Sequence, residues 1–368
     1  MKFNMSYLGG LFLVVMSQVS LAENLRCLGS DGGTPFANIS KDVSLKQQIL
    51  QSSGSVRDFV LLEKTNQIVY RNHRNQIRAL ALSNQHDRHL SYSSVKISRV
   101  FEENKGRILT SEATCFLDSV TDSFWRSFAQ PNRVVEHLFL DNNDIFSLEA
   151  FWQEDPYLLF PGRYNFSFLT YESNKSWRRQ CNLPGGVGKN LKIAKGNLFP
   201  YLYFTAIKSG LFEDRVMVYR MAVNTVAGNR ACPFEEVTSY PVSQIGPIKN
   251  FYYFNIDGTD AFAFHLSDPK RNLFWDKPGE CAYYNFNGKT PIFISPRHPI
   301  FATWKNGEGL SLHNLRDKTE ITFFNKVEQA SITTENLWIS GDERTLLSSL
   351  SPYKNEPNYR LIVSTKIK

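Results

Sequence analysis

The sequence predicts an all-β protein, and its best-fitting arrangement is a β-propeller of six or seven four-stranded blades. Three observations support this prediction: a high aromatic content, a hairpin-like pattern that recurs along the chain, and very few stretches with the 3.6-residue period of a helix. The 368 residues include 28 Phe, 16 Tyr and 6 Trp, and aromatic residues suit the half-buried surface of a pleated sheet. A chain of this length can bury a sizeable core.

The recurring pattern is a short apolar strand, a polar turn and a second short apolar strand. Clear copies lie at 58–70, 100–110, 137–148, 191–204 and 251–264, and weaker ones at 301–312 and 330–340. The turns are rich in Asn, Asp, Gly and Lys, and Asn, Asp and Gly are the residues that adopt positive φ in hairpins. Each interval leaves room for two more strands, which gives units of about 40–50 residues, the length of a propeller blade.

Two other arrangements fit the same strand spacing: β-sandwiches and an irregular all-β assembly. No Trp-Asp dipeptide period, kelch-type double glycine or Asp-box series marks a known type of blade. The segment that starts at Tyr359 has strand character, and we expect it to pair with N-terminal residues and close a ring of blades. Residues 122–130 predict a short helix, because Asp122 can cap its start and Pro131 follows its end.

The first 22 residues predict a secretory signal peptide. Lys2 gives a positive start, residues 7–16 form an apolar run, and Ser20-Leu21-Ala22 supplies small residues for a cleavage site. The run is too short to cross a bilayer, and no later stretch approaches the 18 apolar residues that a membrane helix needs. We therefore expect residues 23–368 to form one secreted or periplasmic domain with no transmembrane segment after cleavage. An uncleaved N-terminal anchor is the alternative.

The cysteine spacing and the net charge argue against zinc, redox and nucleic-acid-binding functions. Five cysteines follow the signal, at positions 27, 115, 181, 232 and 281, and in an oxidising compartment they can form two disulfides with one left over. The sequence does not assign their pairing, and it holds no Cys-x-x-Cys motif for zinc or redox chemistry. The net charge of +7 is mild for this length, and no run of five basic residues occurs. We therefore expect no nucleic-acid partner.

Residues 149–155 form the best candidate for a site. A glycosidase needs two carboxylates a few ångströms apart, and Glu149, Glu154 and Asp155 lie close together in the sequence. Trp152 stands between them and can stack on a sugar ring. The alternatives are that the acids belong to a solvated loop and that the tryptophan packs in the core.

Three other motifs favour ordinary structural explanations. His86 and His89 stand three residues apart in a polar segment that suggests a solvated turn. The oxygen-rich segments 141–144 and 255–260 lack the ligand spacing of an EF-hand and are typical of turns. The glycine-rich segment 185–190 has Asn190 where a phosphate-binding loop needs Ser or Thr. We therefore expect no metal and no cofactor.

These observations favour a non-catalytic role over an enzymatic one. We expect a rigid exported scaffold whose loops bind another envelope or extracellular protein, or a polysaccharide. The alternative is a secreted glycan-active hydrolase or lyase that uses paired carboxylates. The fold alone does not decide between the two.

Overall fold

The computed structural model describes the backbone between Gly33 and Lys366, with gaps at 41–44, 63–65, 93–96, 101–107, 111–113, 118–123, 128–133, 140–144, 154–162, 173–174, 183–190, 195–200, 211, 223–233, 269, 288, 296–297, 306, 308, 325–331, 333–336, 341 and 352–358. Side chains are described over the same range, except at Ser91, at Lys366 and between residues 93 and 190. The predicted signal peptide, residues 1–22, lies outside the described residues. No helix in the described part of the chain is long and apolar enough to cross a membrane.

The described residues are almost entirely β, as predicted, with 29 strands and one four-residue helix. They divide into two compact units. The larger unit comprises Thr34–Phe151, Phe166–Gln180 and Phe286–Lys368, and the smaller comprises Gly33, Trp152–Asn165 and Cys181–Asn285.

The larger unit begins with two short strands and a four-stranded antiparallel sheet. The short strands are β1 (Ala37–Asn38) and β2 (Leu45–Ile49). The sheet has the order β3-β4-β5-β6, with bounds Val56–Leu62, Gln67–Asn72, Gln76–Ala81 and Asp87–Tyr92. Asn66 and Asn75 adopt positive φ angles of 51° and 60° beside its first two turns, as the turn composition predicts.

Two smaller sheets and another four-stranded sheet follow. β7 (Ile97–Val100) pairs with β8 (Ile108–Thr110), and β9 (Thr114–Leu117) pairs with β10 (Phe124–Ser127). The four-stranded sheet runs β11-β12-β13-β14, with bounds Val134–Phe139, Ile145–Gln153, Arg163–Glu172 and Lys175–Asn182.

β10 corrects the helix that the sequence predicts at residues 122–130. Phe124 lies opposite Leu117, and Ser127 lies opposite Thr114, so this segment is an antiparallel strand. Phe, Trp and Ser are only moderate helix formers, whereas Phe and Trp are good strand formers. Pairing with β9 therefore outweighs the local helix signal.

The smaller unit holds two four-stranded antiparallel sheets joined by the helix. The first sheet runs β15-β16-β17-β18, with bounds Lys192–Ile193, Tyr201–Lys208, Arg215–Ala222 and Glu235–Pro241. Helix α1 (Val242–Ile245) follows directly. The second sheet runs β19-β20-β21-β22, with bounds Ile248–Ile256, Thr259–Leu266, Leu273–Lys277 and Glu280–Tyr284.

The last two sheets belong to the larger unit, and each includes a strand from the beginning of the chain. β23 (Thr290–Phe293), β24 (Ile300–Trp304), β25 (Leu310–Asn314) and β26 (Thr319–Phe324) form one sheet, to which β1 adds in parallel beside β26. β27 (Leu337–Ile339), β28 (Thr345–Leu350) and β29 (Arg360–Lys366) form the other, with β2 beside β29. Leu45 lies opposite Lys366 and Ile49 opposite Ile362, which confirms the predicted pairing between the two ends of the chain.

In chain order, the described strands from β3 onward form seven successive groups. Five groups have four consecutive strands in one sheet, one consists of the sheets β7-β8 and β9-β10, and in the last β2 supplies the fourth strand. Each four-stranded group is the size of a propeller blade.

Apolar side chains hold neighbouring sheets together within each unit. In the larger unit, Val56 and Ile68 of the β3–β6 sheet pack in one cluster with Leu347 and Leu361 of the last sheet. In the smaller unit the core is aromatic, and the ring centroids of Tyr240 in β18 and Phe264 in β20, which belong to different sheets, lie 5.3 Å apart. Burying each such side chain contributes about 1.5–3 kcal/mol, so the blades are rigid supports for their connecting loops.

Candidate functional site

The structure describes only part of the predicted 149–155 site. Glu149 and Trp152 both belong to β12, where Glu149 lies opposite Val135 of β11. Glu154 and Asp155 lie outside the described residues. The site therefore remains a prediction, with its first two members placed on one strand.

His86 directly precedes β6, and His89 belongs to that strand. The acidic residue between them has a structural role. Asp87 accepts hydrogen bonds from Tyr70 Oη at 2.6 Å and from Arg78 Nε at 3.0 Å. Both histidines are exposed. The predicted turn is wrong, however, because Asp87 and His89 belong to β6 and pair with β5. Among the residues whose side chains are described, no three His, Cys, Asp or Glu residues are arranged to hold a metal ion.

The second oxygen-rich segment is the hairpin turn between β19 and β20. Asp257 and Gly258 have φ angles of 51° and 80°, and the amide of Gly258 donates to Asn255 Oδ1 at 3.1 Å. This arrangement confirms the predicted turn. The first such segment, residues 141–144, lies outside the described residues.

One end of the smaller unit carries an exposed aromatic side chain on a fixed loop. Phe212, between β16 and β17, is fully exposed, and no other described large apolar side chain exceeds 65% exposure. The loop is tied to α1, because Ser243 Oγ donates to Glu213 Oε1 at 2.6 Å and the amide of Val242 donates to the carbonyl of Asp214 at 2.9 Å. Phe212 is therefore presented to solvent by an anchored loop.

The opposite end of the same strands holds a polar group that we call the Asp260 cluster: Tyr201, Tyr203, Arg220, Glu235, Tyr253 and Asp260. Tyr203 of β16 and Tyr253 of β19 stack with ring centroids 3.9 Å apart. Their hydroxyls donate to the two oxygens of Asp260, at 3.0 Å and 2.9 Å. Both tyrosines are buried, so one carboxylate at the start of β20 joins the two sheets of the unit.

Arg220 connects the buried tyrosines with the exposed part of the cluster. On neighbouring strands, Arg220 lies opposite both Tyr203 and Glu235. Its Nε and Nη2 donate to Glu235 Oε1, while its Nη1 lies 3.8 Å from Asp260 Oδ2. The guanidinium carbon also stands 4.7 Å from the ring centre of Tyr201, a cation–π arrangement.

The electrostatics of the cluster fix its protonation states. Burial raises the pKa of Tyr203 and of Tyr253, so both phenols stay protonated hydrogen-bond donors. Contacts with Tyr203 and Glu235 raise the pKa of Arg220, which stays cationic. Asp260 and Glu235 are separated by this arginine rather than paired with each other, so the geometry suits ligand binding better than general acid–base catalysis.

Sequence reasoning did not identify the Asp260 cluster, because its members come from five strands and Tyr203 lies 57 residues from Asp260. Two signals were available, the alternation of Tyr201 with Tyr203 along β16 and the oxygen-rich segment that ends at Asp260, but neither indicated which partners these residues meet.

No protein-family model matches this chain, and no curated protein matches it either. Among solved structures, the chain is similar to the β-propeller domain of Cps50 (Swd1) from Myceliophteria thermophila, with a TM-score of 0.51, 12% identity and coverage of 86% of this chain and 99% of that one. Weaker likenesses are the WD40 repeats of RRP9 (TM-score 0.49, 8% identity, 88% and 99% covered) and U3-55K (TM-score 0.48, 8% identity, 87% and 98% covered).

The likeness to the Cps50 domain shows the fold. The protein is a β-propeller, as the strand pattern predicted, and not a β-sandwich or an irregular assembly. At 12% identity the likeness carries no information about ligand or activity.

Proposed function

We propose that this protein is an exported, non-catalytic β-propeller that binds another protein of the cell envelope or extracellular space. The observation that carries the proposal is the fully exposed Phe212 on its anchored loop. Single exposed apolar residues are common on protein surfaces. However, an aromatic ring held out by a fixed loop loses little conformational entropy on binding, which is what an interface anchor requires.

The surroundings of Phe212 fit a protein interface. The loop between β20 and β21 holds Asp268, Lys270 and Arg271. This loop and helix α1 lie at the same end of the smaller unit as Phe212, because β18 and β20 end there and β17 and β21 begin there. Exposed charges of both signs, including Glu213 and Lys270, therefore accompany the aromatic ring. An apolar centre with a mixed polar rim is the usual anatomy of a protein-binding surface.

Export is the second part of the proposal. It rests on the signal-like order of residues 1–22. We also propose that the exported chain contains disulfides, for which the bonded state of Cys281 in β22 is the support. Mass analysis of the secreted chain tests both points, because it gives the N-terminal residue and the number of free thiols. A chain that keeps residues 1–22 would contradict cleavage.

Photo-crosslinking tests the interface. A photoreactive phenylalanine analogue is placed at Phe212, at Lys270 on the same end, and at Tyr92 in the β3–β6 sheet as an exposed control. We expect the first two positions to crosslink to the same polypeptide and the control position not to do so. We also expect Phe212→Ser to weaken binding of that purified polypeptide about tenfold, equivalent to about 1.4 kcal/mol. Equal crosslinking at all three positions, or unchanged affinity, would overturn the assignment.

The glycan-active alternative has its own test. The protein is incubated with cell-wall and extracellular polysaccharides, and newly formed reducing ends are measured. Our proposal predicts no release. Release that disappears when Glu149→Gln, Glu154→Gln and Asp155→Asn are combined would make the protein an enzyme and assign the chemistry to the 149–155 site.

A further inference from the structure

Beside the exposed Glu235, the Asp260 cluster presents three partly exposed side chains that differ in chemistry. Tyr201 is 38% exposed, and the side chains of Arg220 and Asp260 are 31% and 28% exposed. An aromatic ring, a guanidinium and a carboxylate therefore reach solvent side by side at one end of β16, β17 and β20. This end is opposite to the one that carries Phe212.

We propose that this rim, formed by Tyr201, Arg220 and Asp260, is a binding site for a neutral saccharide. The proposal does not depend on the protein partner inferred for the Phe212 end, because the two sites lie at opposite ends of the same strands.

The polar groups of the rim are held in place before any ligand arrives. Asp260 accepts one hydrogen bond on each oxygen from a buried tyrosine, and Arg220 is held on its other side by Glu235. Groups that are fixed in this way lose little freedom when they bind a ligand. A solvated surface ion pair has no such buried support.

The spacing of the rim fits a hydroxyl group. Arg220 Nη1 and Asp260 Oδ2 are 3.8 Å apart, which is too long for a hydrogen bond between them. A hydroxyl both donates and accepts, so one hydroxyl, or two on adjacent carbons, can accept from the guanidinium and donate to the carboxylate. Each carboxylate oxygen keeps acceptor capacity beyond its single tyrosine bond.

The charge of the rim selects for a neutral ligand. Among the described residues of the Asp260 cluster, Asp260 and the exposed Glu235 contribute two negative charges against the single positive charge of Arg220. An acidic polymer would therefore meet two carboxylates, whereas an uncharged sugar needs only the donor and acceptor pair. The ring of Tyr201 supplies an apolar surface beside them for the carbon–hydrogen face of a sugar.

Titration calorimetry with a panel of short neutral oligosaccharides of different sugars tests the proposal on the purified protein. We expect saturable binding of at least one of them, and we expect Tyr201→Ala and Arg220→Lys each to weaken it about tenfold. Tyr92→Ala is the matched control, since it removes an exposed tyrosine from a different sheet. Phe212→Ser should also leave saccharide affinity unchanged, which separates this site from the proposed protein interface.

Thermal melting of the same variants separates a binding role from a structural one. We expect Tyr201→Ala to keep the melting temperature of the wild type, because Tyr201 is the first residue of β16 and its side chain is partly exposed. Absence of binding by every oligosaccharide, or binding that Tyr201→Ala and Arg220→Lys leave unchanged, would overturn the proposal and leave the cluster as a connection between two sheets.

Discussion

Arg71 and Asp58 form an ion pair inside the β3–β6 sheet, with Nη2 of the arginine 2.6 Å from Oδ2 of the aspartate. The two residues lie directly opposite each other on β4 and β3. The arginine Nε donates to the same oxygen at 2.9 Å, and the two side chains are only 5% and 3% exposed. A buried charge of this kind depends on its counter-charge, because water cannot replace it.

Removing the carboxylate of this pair should strongly lower the stability of the folded protein. We expect Asp58→Ala to lower the free energy of unfolding by about 3–5 kcal/mol, because it leaves the buried guanidinium without its carboxylate. Replacing both residues together, as Asp58→Leu with Arg71→Met, should cost much less. Urea denaturation gives both values. The control is Glu236→Ala, which breaks the half-exposed pair with Lys208 and should cost under about 1 kcal/mol. Equal costs for Asp58→Ala and Glu236→Ala would contradict the structure.

Stability should fall in alkali because several tyrosines are buried. Burial, with a contribution from the negative charge of Glu236, raises the pKa of Tyr219 to about 12 from an ordinary 10.0. The folded state thus keeps a proton that the unfolded chain loses, so this stability is complete below pH 10 and declines above it. Unfolding free energies measured from about pH 8 to pH 11 should show the decline, and Tyr219→Phe should reduce its slope by about 1.4 kcal/mol per pH unit. If the variant kept the wild-type slope, Tyr219 would not be the titrating group.

Acid should destabilise the protein through His313. Burial, with the positive charge of Lys289, lowers the pKa of this histidine to about 3, although Glu320 Oε2 stands 4.0 Å from its Nδ1. In the unfolded chain His313 takes up a proton near pH 6.5, whereas in the folded state it stays neutral until the pH is close to 3. This part of the stability is therefore complete above pH 6.5 and is lost as the pH falls toward 3.

The histidine contribution can be isolated by substitution. Between about pH 6 and pH 4, His313→Gln should reduce the acid slope of the unfolding free energy by about 1.4 kcal/mol per pH unit. The exposed His86 is the control, and His86→Gln should leave the slope unchanged. Identical slopes in all three proteins would show that His313 is protonated while folded.

Two glycines with the same backbone conformation should differ in their tolerance of alanine. Gly54 and Gly258 have φ angles of 83° and 80°, but a Cβ at Gly54 would lie 2.7 Å from the ring of His73, whereas at Gly258 nothing lies within 4 Å. Gly258→Ala should therefore cost only the backbone strain, about 1–2 kcal/mol, and Gly54→Ala should cost more. Adding His73→Ala should remove the excess. An equal cost at both glycines in urea denaturation would rule out the steric contribution.

The sequence predicted those features that depend on local chemistry. The turn at Asp257 and Gly258 follows from two residues that tolerate positive φ, and the strands around it follow from aromatic and apolar runs. The segment around Phe124 was wrongly predicted as a helix, because its strand state depends on a partner, β9, that the local sequence does not specify. The Asp260 cluster was missed for the same reason, since register across five strands brings its members together.

The pairing of β2 with β29 determines when the protein can finish folding. Among the described residues, the strand partner of Leu45–Ile49 is Arg360–Lys366, which lies far later in the chain. At about 5–20 residues per second, ribosomes need on the order of tens of seconds to reach it. During that time β2 lacks the strand beside which it lies in the finished sheet. Such a delay suits the proposed export, because a chain that is still incomplete has not yet become too compact to be threaded through a translocation channel.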